Sequence, residues 1–554
     1  MRKIFISLLF SMALLVGCIH NDLPYPVVVP NITSMSVQDA VEVDIDYEAR
    51  VVTVYVSETT DLTKVVIQSV DYDVDITKPS IQLLGVHDLT TPLKFQLTTY
   101  QDYDWIIRAV RPVERYFTIE GQIGSSIIDD YNCRVVAMVS EGTDITNLKV
   151  TSLKLGPKDI STYSLAPEQM KDFTGGLDLE VTAFGLTELW TIYVEETEVS
   201  VEISKINPWT TSAYVSAMAA AGKETVFHYR AKGSTDWMTV DSANVTSDGG
   251  SYTAHITGLQ PLSDYEVMVS CGDDKTPVEE FTTAPATRIP NGSFEYASLV
   301  SGSNYYKFYD PSCGVEEGEY MFWGSGNGEG PEGINGSANM GIIITTIDKN
   351  SKIDGNQSVC AQTSQMAGIL AAGNLFTGQF AGLVGTEGGM VNFGRPWSTR
   401  PVALKLYCRY TTSNIDIIGK KLPPGVTLTK EDLDRAQIKV AIGTWDYRTY
   451  GGTKDSPVHI NTTDASTFVD FNKDPKTIAN GDLIIHKDGY FLNGASKVDA
   501  VTSEWAEYTI PLNYHDLETL PTHIIVSCAS SQFGDYFTGC SSSKLWIDKV
   551  ELVY

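Results

Sequence analysis

Three tryptophans in the C-terminal half of the chain each stand near side chains that can hydrogen-bond to a ligand. The groups are Trp323 with Asn327, Trp397 between Arg395 and Arg400, and Trp445 with Tyr447. Because a sugar ring has apolar faces and a rim of hydroxyls, proteins hold it with an aromatic platform flanked by polar side chains. Each of the three groups supplies such a combination and is a candidate binding site on that ground. The alternative, that each tryptophan packs in a core between sheets, stays open from the sequence alone.

Carboxylates that could hydrolyse a glycosidic bond are numerous but show no pairing. A glycosidase needs two of them, about 5–10 Å apart across the scissile bond. The C-terminal candidates are Asp310, Glu316, Glu317, Glu319, Glu332, Asp446 and Asp535. No spacing selects two of these, and neither a GxSxG elbow nor an HExxH motif occurs. We therefore predict no catalytic residue, with a glycoside hydrolase as the alternative function.

The charge balance and a glycine-rich run argue against phosphate-bearing partners. Forty Lys and Arg residues against sixty-nine Asp and Glu leave a formal net charge of −29, which repels nucleic acid. The run Gly324–Gly333 resembles a phosphate loop only in its glycines, since it lacks the GxxxxGK[ST] lysine. The acidic excess instead suits neutral sugars or a cation such as calcium.

The first residues predict export and anchoring. Arg2 and Lys3 precede an apolar run at 4–16, a length that suits a signal peptide and is short for a bilayer span. The run ends in Leu15-Val16-Gly17-Cys18, which resembles a bacterial lipobox, so we expect a signal peptide at 1–18 and lipidation of Cys18. Residues 19–30 contain three prolines and are expected to form a tether. The expected location is the bacterial outer membrane, facing outward, with the periplasmic face as the alternative.

The remaining cysteines give no metal or redox motif. They are Cys133, Cys271, Cys313, Cys360, Cys408, Cys528 and Cys540. Their odd number leaves at least one free thiol, and the absence of CxxC argues against zinc or thioredoxin-like chemistry. A Cys528–Cys540 disulfide stays open in an oxidising compartment, whereas buried reduced cysteines are the expected state.

Two stretches near the N-terminus repeat each other. Residues 50–65 align with 134–150, which places Asp61 and Asp144 at equivalent positions, and Trp-containing strands follow around Trp105 and Trp190. Apolar residues alternate with a period of two, as in half-buried strands. The repeat predicts tandem immunoglobulin-like sandwiches at 31–113 and 114–198, with the two aspartates capping turns.

The third segment, 199–285, carries the run Leu259-Gln260-Pro261-Leu262-Ser263-Asp264-Tyr265. This run resembles the tyrosine corner of fibronectin type III domains, where the tyrosine hydroxyl bonds to the backbone upstream. The resemblance implies a third sandwich, so that the first three modules would form a stalk.

The last segment, 286–554, opens with Ile289–Glu295 and closes with Leu545–Leu552. That pairing resembles galactose-binding-like jelly rolls, whose first and last strands lie side by side. The resemblance implies a structural calcium held by hard oxygens, and Asn291, Glu295 and Asp548 are the candidate ligands.

Motifs inside this segment narrow the resemblance to one family. They are Phe322–Asn327, Ala371–Phe380, Phe393–Pro401, Leu404–Tyr410 and Ser531–Gly539. Together they resemble the putative carbohydrate metabolism domain family of surface lipoproteins in gut bacteria. The resemblance implies a β jelly roll joined to immunoglobulin-like domains and a role in handling carbohydrate. It adds Asn374 and Asp535, which lie in these motifs, to the candidate glycan-binding residues.

The sequence thus predicts an all-β, lipid-anchored surface protein with tandem sandwiches followed by a C-terminal jelly roll. We expect the jelly roll to bind a polysaccharide or oligosaccharide without cleaving it, beside neighbouring surface proteins of glycan uptake. The alternatives are a glycoside hydrolase and an adhesin that uses the sandwich repeats.

Overall fold

The computed structural model describes residues 27–197, 200–310, 321–328, 336–366, 368–385, 387–420, 422–423, 425–498 and 501–554. Strands dominate these ranges, which confirms the all-β fold class. Cys18, Cys313 and the acids Glu316, Glu317, Glu319 and Glu332 lie outside the described residues. Within the described ranges, no helix combines the length and apolar character needed to cross a membrane.

The first sandwich is built from β1 Ile32–Val37, β2 Ala40–Asp46, β3 Val51–Val56, β4 Val65–Tyr72, β5 Lys78–Pro79, β6 Gly85–His87, β7 Leu93–Thr98 and β8 Asp102–Val110. One sheet has the order β1-β4-β6 and the other β2-β3-β8-β7-β5. Their inward-facing side chains form one core around the fully buried Trp105.

The second sandwich contains β9 Tyr116–Ile119, β10 Gln122–Asp129, β11 Arg134–Ser140, β12 Val150–Lys154, β13 Thr162–Tyr163, β14 Leu177–Ala183 and β15 Leu186–Thr197. A two-stranded sheet, β12-β9, faces a sheet of order β10-β11-β15-β14-β13. The core between them includes the fully buried Trp190.

The internal repeat is visible in both topology and turns. The parallel pair β3–β8 of the first unit corresponds to the parallel pair β11–β15 of the second. Asp61 Oδ1 accepts the N–H of Thr63 at 3.0 Å, and Asp144 Oδ1 accepts the N–H of Thr146 at 3.1 Å. The two aspartates therefore cap equivalent turns, as the alignment predicted.

The third sandwich contains β16 Val201–Pro208, β17 Ser212–Ala219, β18 Thr225–Ala231, β19 Met238–Thr239, β20 Val245–Asp248, β21 Ser251–Thr257, β22 Asp264–Cys271, β23 Asp274–Lys275 and β24 Glu279–Thr282. Its sheets have the orders β16-β17-β21-β20 and β19-β18-β22-β23, with β24 also on β22. The hydroxyl of Tyr265 accepts the N–H of Gln260 at 2.8 Å, so the predicted tyrosine corner is present.

The C-terminal region contributes the remaining strands. They are β25 Ala297–Leu299, β26 Tyr306–Phe308, β27 Trp323–Gly324, β28 Thr345–Asp348, β29 Ser358–Gln362, β30 Ser364–Met366, β31 Ile369–Ala371, β32 Asn374–Val384, β33 Gly388–Phe393, β34 Arg395–Pro396, β35 Ala403–Thr411, β36 Ala436–Gly443, β37 Val458–Asn461, β38 Thr477–His486, β39 Gly489–Leu492, β40 Ala495–Val498, β41 Ala506–Pro511, β42 Asn513–Tyr514, β43 His523–Ala529 and β44 Lys544–Val553. One sheet has the order β28-β29-β44-β35-β41. The larger sheet runs β25-β26-β27-β32-β43-β36-β38-β39-β40 and carries β33, β34, β37 and β42 at its sides.

A single hydrophobic core lies between these two sheets, with Leu404 and Ile547 on one side and Ile438 and Val526 on the other. The opening segment lies beside the last strand, because Val550 donates its N–H to the carbonyl of Gly292 at 2.8 Å. This two-sheet arrangement is the predicted jelly roll.

Helical turns are short and lie at strand connections. They are the α-helical turn Tyr447–Tyr450 and the 3-10 turns Leu62–Lys64, Pro167–Gln169, Ser242–Asn244, Ser337–Met340, Ala465–Thr467 and Gly534–Tyr536. The turn at 534–536 carries Asp535, one of the candidate site residues.

The tyrosine corner predicts a measurable cost of removing one hydroxyl. Tyr265→Phe leaves the N–H of Gln260 without its acceptor and should destabilise the third sandwich by about 1–2 kcal/mol. Calorimetry of the full chain measures the shift in the unfolding transition of this module. Tyr229→Phe is the matched control, since the Tyr229 hydroxyl has no hydrogen bond to the described residues. Equal shifts for the two variants would contradict the assignment.

Candidate functional site

Two central strands of the large sheet have one face in the main core, while the other face is covered in part by a second hydrophobic cluster that contains Ala441 and Ile525. In β36, Ile438 and Val440 point into the core, so Gln437 and Lys439 point the other way. In β43, Val526 points inward and Ser527 outward. The register pairs Gln437 with Ala529 and Lys439 with Ser527, so these outward side chains form a continuous floor.

A cleft lies over this floor, and we call it the Asp535 cleft. It has two arms that share Ala372, Asn374, Gly534 and Asp535. The polar arm, of about 110 Å³, is lined by the floor residues Gln437, Lys439 and Ser527 and by Gln532, Phe393, Phe468 and Phe471. The apolar arm, of about 160 Å³, is lined mainly by aliphatic side chains from the 337–344 and 369–391 segments. Asp535 therefore stands where the two arms meet.

Asp535 combines contact with solvent and enclosure by protein. Its side chain is exposed inside the cleft, and the protein walls around it make its charged form harder to hydrate. This desolvation raises the pKa of the Asp535 carboxyl above its usual value, and the positive charge of Lys439 offsets part of the rise. The carboxyl is thus a reachable hydrogen-bonding group in a poorly hydrated place.

Lys439 is a half-buried cation without a direct partner. Its ammonium forms no hydrogen bond and no ion pair within 4.0 Å with any described residue. The residue directly opposite on β38 is Asp482, whose Oδ1 accepts the side-chain N–H of Gln437 at 2.9 Å. Burial raises the pKa of Asp482, and both Gln437 and Lys439 act in the opposite direction. Lys439 therefore interacts electrostatically with two carboxyl groups, those of Asp482 and Asp535, while its donors form no bond to the described residues.

The polar arm also holds an unused acceptor and an aromatic wall. The side-chain oxygen of Gln532 is buried and has no hydrogen-bond partner among the described residues. Phe468 stacks on Tyr536 with ring centroids 5.6 Å apart, and Phe471 packs on Trp445 at 5.7 Å, which fixes both rings in the wall. This arm therefore brings together a charged donor, an amide acceptor, a carboxyl group and an aromatic surface. A carbohydrate site requires such a combination.

Asp434 holds the loop that carries Asp535. Asp434 is 2% exposed, and its Oδ2 accepts the hydroxyl of Ser531 at 2.6 Å, the hydroxyl of Ser543 at 2.8 Å and the N–H of Cys540 at 2.8 Å. Burial raises the pKa of this carboxyl, and the same hydrogen bonds lower it in part. Because its partners stand on both sides of the 534–536 turn, Asp434 fixes where Asp535 enters the cleft.

The three predicted aromatic platforms are buried and do not face a ligand. Trp323 is 0% exposed and donates its Nε1–H to the carbonyl of Pro290 at 2.8 Å, while Trp397 and Trp445 are 7% and 2% exposed. They pack against other aromatic rings, as Trp323 does against Phe294. The structure therefore corrects the expectation of stacking on tryptophan: these rings stabilise the fold.

The polar partners predicted beside those tryptophans also have structural roles. The side chain of Asn327, fully buried, accepts the N–H of Ile344 at 2.9 Å and donates to the carbonyl of Thr345. Arg395, 5% exposed, donates to the hydroxyl of Ser456 and to the carbonyls of Phe322, Met321 and Gly378. Neither side chain is available to a glycan.

Arg400 joins the third sandwich to the jelly roll. Its guanidinium donates to Asn207 Oδ1 and to the carbonyl of Pro208, both at 2.9 Å, and to the carbonyl of Leu517 at 2.7 Å. It also lies 4.5 Å from the ring centroid of Trp209. The predicted ligand-binding arginine is therefore an interdomain contact.

Two predicted residues line the cleft and a third is exposed elsewhere. Asn374 and Asp535 contribute to both arms, and Asn374 Oδ1 accepts the N–H of Gly326 at 2.7 Å. Tyr447 is 40% exposed on its helical turn and does not line either arm.

The predicted calcium ligands accept backbone N–H groups. Asn291 Oδ1 accepts from Tyr296 at 3.2 Å, Glu295 from Asn356 at 3.0 Å, and Asp548 from Ile353 at 2.8 Å. The described residues hold no group of three or more His, Cys, Asp or Glu side chains placed to bind a metal. The bonds of Glu295 and Asp548 fit a role as caps of the 351–357 loop, whereas Asn291 holds the 291–296 turn, and calcium stays a prediction from the resemblance.

The described cysteines are free thiols. Cys528 and Cys540 are both buried and not bonded to each other, and Cys271, Cys360 and Cys408 are buried as well. Burial raises the pKa of Cys360 and of Cys528 to about 12, so both are protonated at neutral pH. The expectation of buried reduced cysteines is confirmed for these five.

The C-terminal region is thus a β jelly roll with an open, two-armed cleft on the outer face of its larger sheet. Residues 293–553 match the family model described as "Putative carbohydrate metabolism domain", which confirms the resemblance seen in the sequence motifs. No curated protein sequence matches the chain.

Two solved structures illustrate the similarity. A putative glycoside hydrolase from Bacteroides thetaiotaomicron is 17% identical over 79% of this chain and 95% of its own, with a TM-score of 0.29. A putative glycoside hydrolase from Bacteroides vulgatus is 20% identical over 47% of this chain and 96% of its own, with a TM-score of 0.30. At such identities and TM-scores the likeness carries no argument about function.

Removing the Asp434 charge should loosen the cleft. In Asp434→Asn, an amide N–H₂ group can face the donors that bond to the carboxylate in the unsubstituted protein. This should lower the free energy of unfolding of the jelly roll by about 2–3 kcal/mol. The measurement is the thermal unfolding transition of the full chain, with hydrogen exchange followed in 531–543. Asp416→Asn is the control, since Asp416 holds Ser541 in the same loop but is exposed. A loss no larger than that of the control would show that Asp434 does not anchor the loop.

Proposed function

We propose that this protein is a lipid-anchored glycan-binding protein that holds a carbohydrate in the Asp535 cleft. The observation that carries the proposal is the set of unused groups in the polar arm. Lys439 and the side-chain oxygen of Gln532 have no partner among the described residues, and Asp535 is reachable beside them. The family match of residues 293–553 supports carbohydrate as the ligand class.

The mechanism is recognition by hydrogen bonds against an aromatic wall. A vicinal diol of a sugar can donate to the Asp535 carboxylate and accept from the Lys439 ammonium, which are charge-assisted bonds. Phe468 and Phe471 offer apolar surface to the ring face. Because the protein walls partly desolvate Asp535, such bonds are stronger than they would be on an open surface.

Anchoring and location belong to the same proposal. The basic and apolar leader ending at Cys18 supports lipidation at that cysteine, and the three sandwiches supply length between anchor and cleft. We propose the outer membrane as the location, with the jelly roll turned toward external glycan. Cys18→Ser should move the protein from the membrane fraction to the soluble fraction, as immunoblotting of fractionated cells would measure. An unchanged membrane fraction would contradict lipid anchoring.

Binding should depend on the two charged groups of the polar arm. We expect Asp535→Asn and Lys439→Met each to lower glycan affinity about tenfold or more, since each removes a charge-assisted hydrogen bond. A glycan array followed by titration calorimetry with the full chain gives the affinity. Asp446→Asn is the matched control, because Asp446 is exposed and lies outside both arms. A bound glycan whose affinity neither cleft variant changes would place the site elsewhere.

The same titration has a predicted pH dependence. The folded-state pKa of Asp535 is raised above its usual 3.8, so the carboxylate is lost at a higher pH than in an ordinary aspartate. Affinity should therefore be highest above this raised pKa and fall as the pH drops through it. In Asp535→Asn that fall should be absent.

A glycoside hydrolase is the second candidate, favoured by one observation. Asp535 and Asp482 both have raised pKa values and both interact electrostatically with Lys439, so two carboxyl groups lie near one cation. Release of reducing ends that is lost in both Asp535→Asn and Asp482→Asn would favour cleavage. Saturable binding without release would favour recognition alone.

A further inference from the structure

The apolar arm of the Asp535 cleft differs in chemistry from the polar arm. Its walls include Met340, Ile342, Ile344, Leu370, Leu383 and Phe537. A bare sugar ring carries hydroxyls around its rim, and burying them against such walls would leave them without partners. The occupant of this arm must therefore present carbon rather than hydroxyl groups.

One hydroxyl in this arm has no partner. Ser337 is 5% exposed, lines the arm, and its Oγ forms no hydrogen bond with any described residue. Two other polar residues of the lining are already engaged, since Asn374 accepts the N–H of Gly326 and Thr462 accepts that of Gly389. A buried unpaired hydroxyl is costly, so Ser337 marks a place where a ligand can supply an acceptor.

An acyl group is the glycan substituent that meets both conditions. It brings one strong acceptor, the carbonyl oxygen, which the Ser337 hydroxyl can bond as donor. Its alkyl part brings no polar atom and fits the aliphatic walls. The arm's volume of about 160 Å³ is of the size that holds a small apolar group.

The arms are placed so that one ligand can fill both. They share Ala372, Asn374, Gly534 and Asp535, so a substituent on a sugar bound at Asp535 leads directly into the apolar arm. We propose that the cleft recognises an O-acylated glycan, with the sugar ring in the polar arm and the acyl group in the apolar arm beside Ser337. This inference rests on the proposed function, because it assigns the second half of the same site.

The test compares each glycan with its own deacylated form. O-acetylated xylan and glucomannan oligosaccharides are titrated into the full chain before and after mild alkali, which removes the esters and leaves the sugar backbone. We expect the acetylated form to bind at least tenfold more tightly. Ser337→Ala should remove most of that advantage, measured as the ratio of the two affinities.

Stability separates recognition from a structural role of Ser337. Because the Ser337 hydroxyl has no partner among the residues that the structure describes, Ser337→Ala should not lower the unfolding temperature. Ala371→Leu, which adds carbon to the same arm, is the second variant and should also abolish the preference for the acetylated form. Ser298→Ala, at an exposed position of β25, is the control and should change neither quantity.

The outcomes distinguish the two proposals. If neither form of any oligosaccharide binds, while a broad glycan array is also silent, the proposed function fails. If glycans bind through Asp535 but equally well with and without esters, the acyl inference alone is overturned. A preference for esters that survives both Ser337→Ala and Ala371→Leu would place the acyl group outside this arm.

Discussion

The period of two in a β-strand is the constraint on which the C-terminal region depends. In β36 and β43 the same backbone must fill the core on one face and offer chemistry on the other. Ile438, Val440 and Val526 close the space between the sheets, and this fixes Gln437, Lys439 and Ser527 on the opposite side. A shift of register by one residue would bury the lysine and expose the isoleucine. The stability of the core thus secures the geometry of the cleft floor.

The walls of the cleft are held by a different device. Loops have few apolar contacts, and the segment after β43 is instead fixed by a buried carboxylate with several donors. Asp434 stands just before β36, the strand that provides the floor of the cleft. The same few residues therefore fix the positions of both the floor and the wall. Preorganisation of this kind lowers the conformational entropy that the loop would lose when a ligand binds.

The fold was largely predictable and the site largely was not. Alternating apolar residues, the repeat around Asp61 and Asp144, and the Tyr265 corner depend on short-range pattern, and the structure contains each of them. The tryptophans were ambiguous, because an aromatic residue beside polar ones suits a core edge as well as a sugar platform. In the structure the Trp323 ring donates to a carbonyl thirty-three residues away, which no local spacing reveals.

Lys439 shows which signal for the cleft was present in the sequence and why that signal was insufficient to predict the site. Its alternation with Gln437 in an otherwise apolar strand could have been noticed in the sequence. Its meaning depends on Ser527 and Asp482 lying alongside, and strand order is a tertiary property. Asp535 and Asn374 were found through family motifs rather than through spacing, which is why they were the candidates that line the cleft.

Arg400 has a mechanical consequence for the whole molecule. Its guanidinium ties Asn207 and Pro208 of one module to Leu517 of the next and lies over Trp209, which also packs on Tyr514. Rotation at this interface would break several charge-assisted bonds at once. The third sandwich and the jelly roll therefore move together as one rigid unit. A force applied at the cleft is then transmitted to the earlier joints of the chain, and the angle between the cleft and the third sandwich stays constant under load.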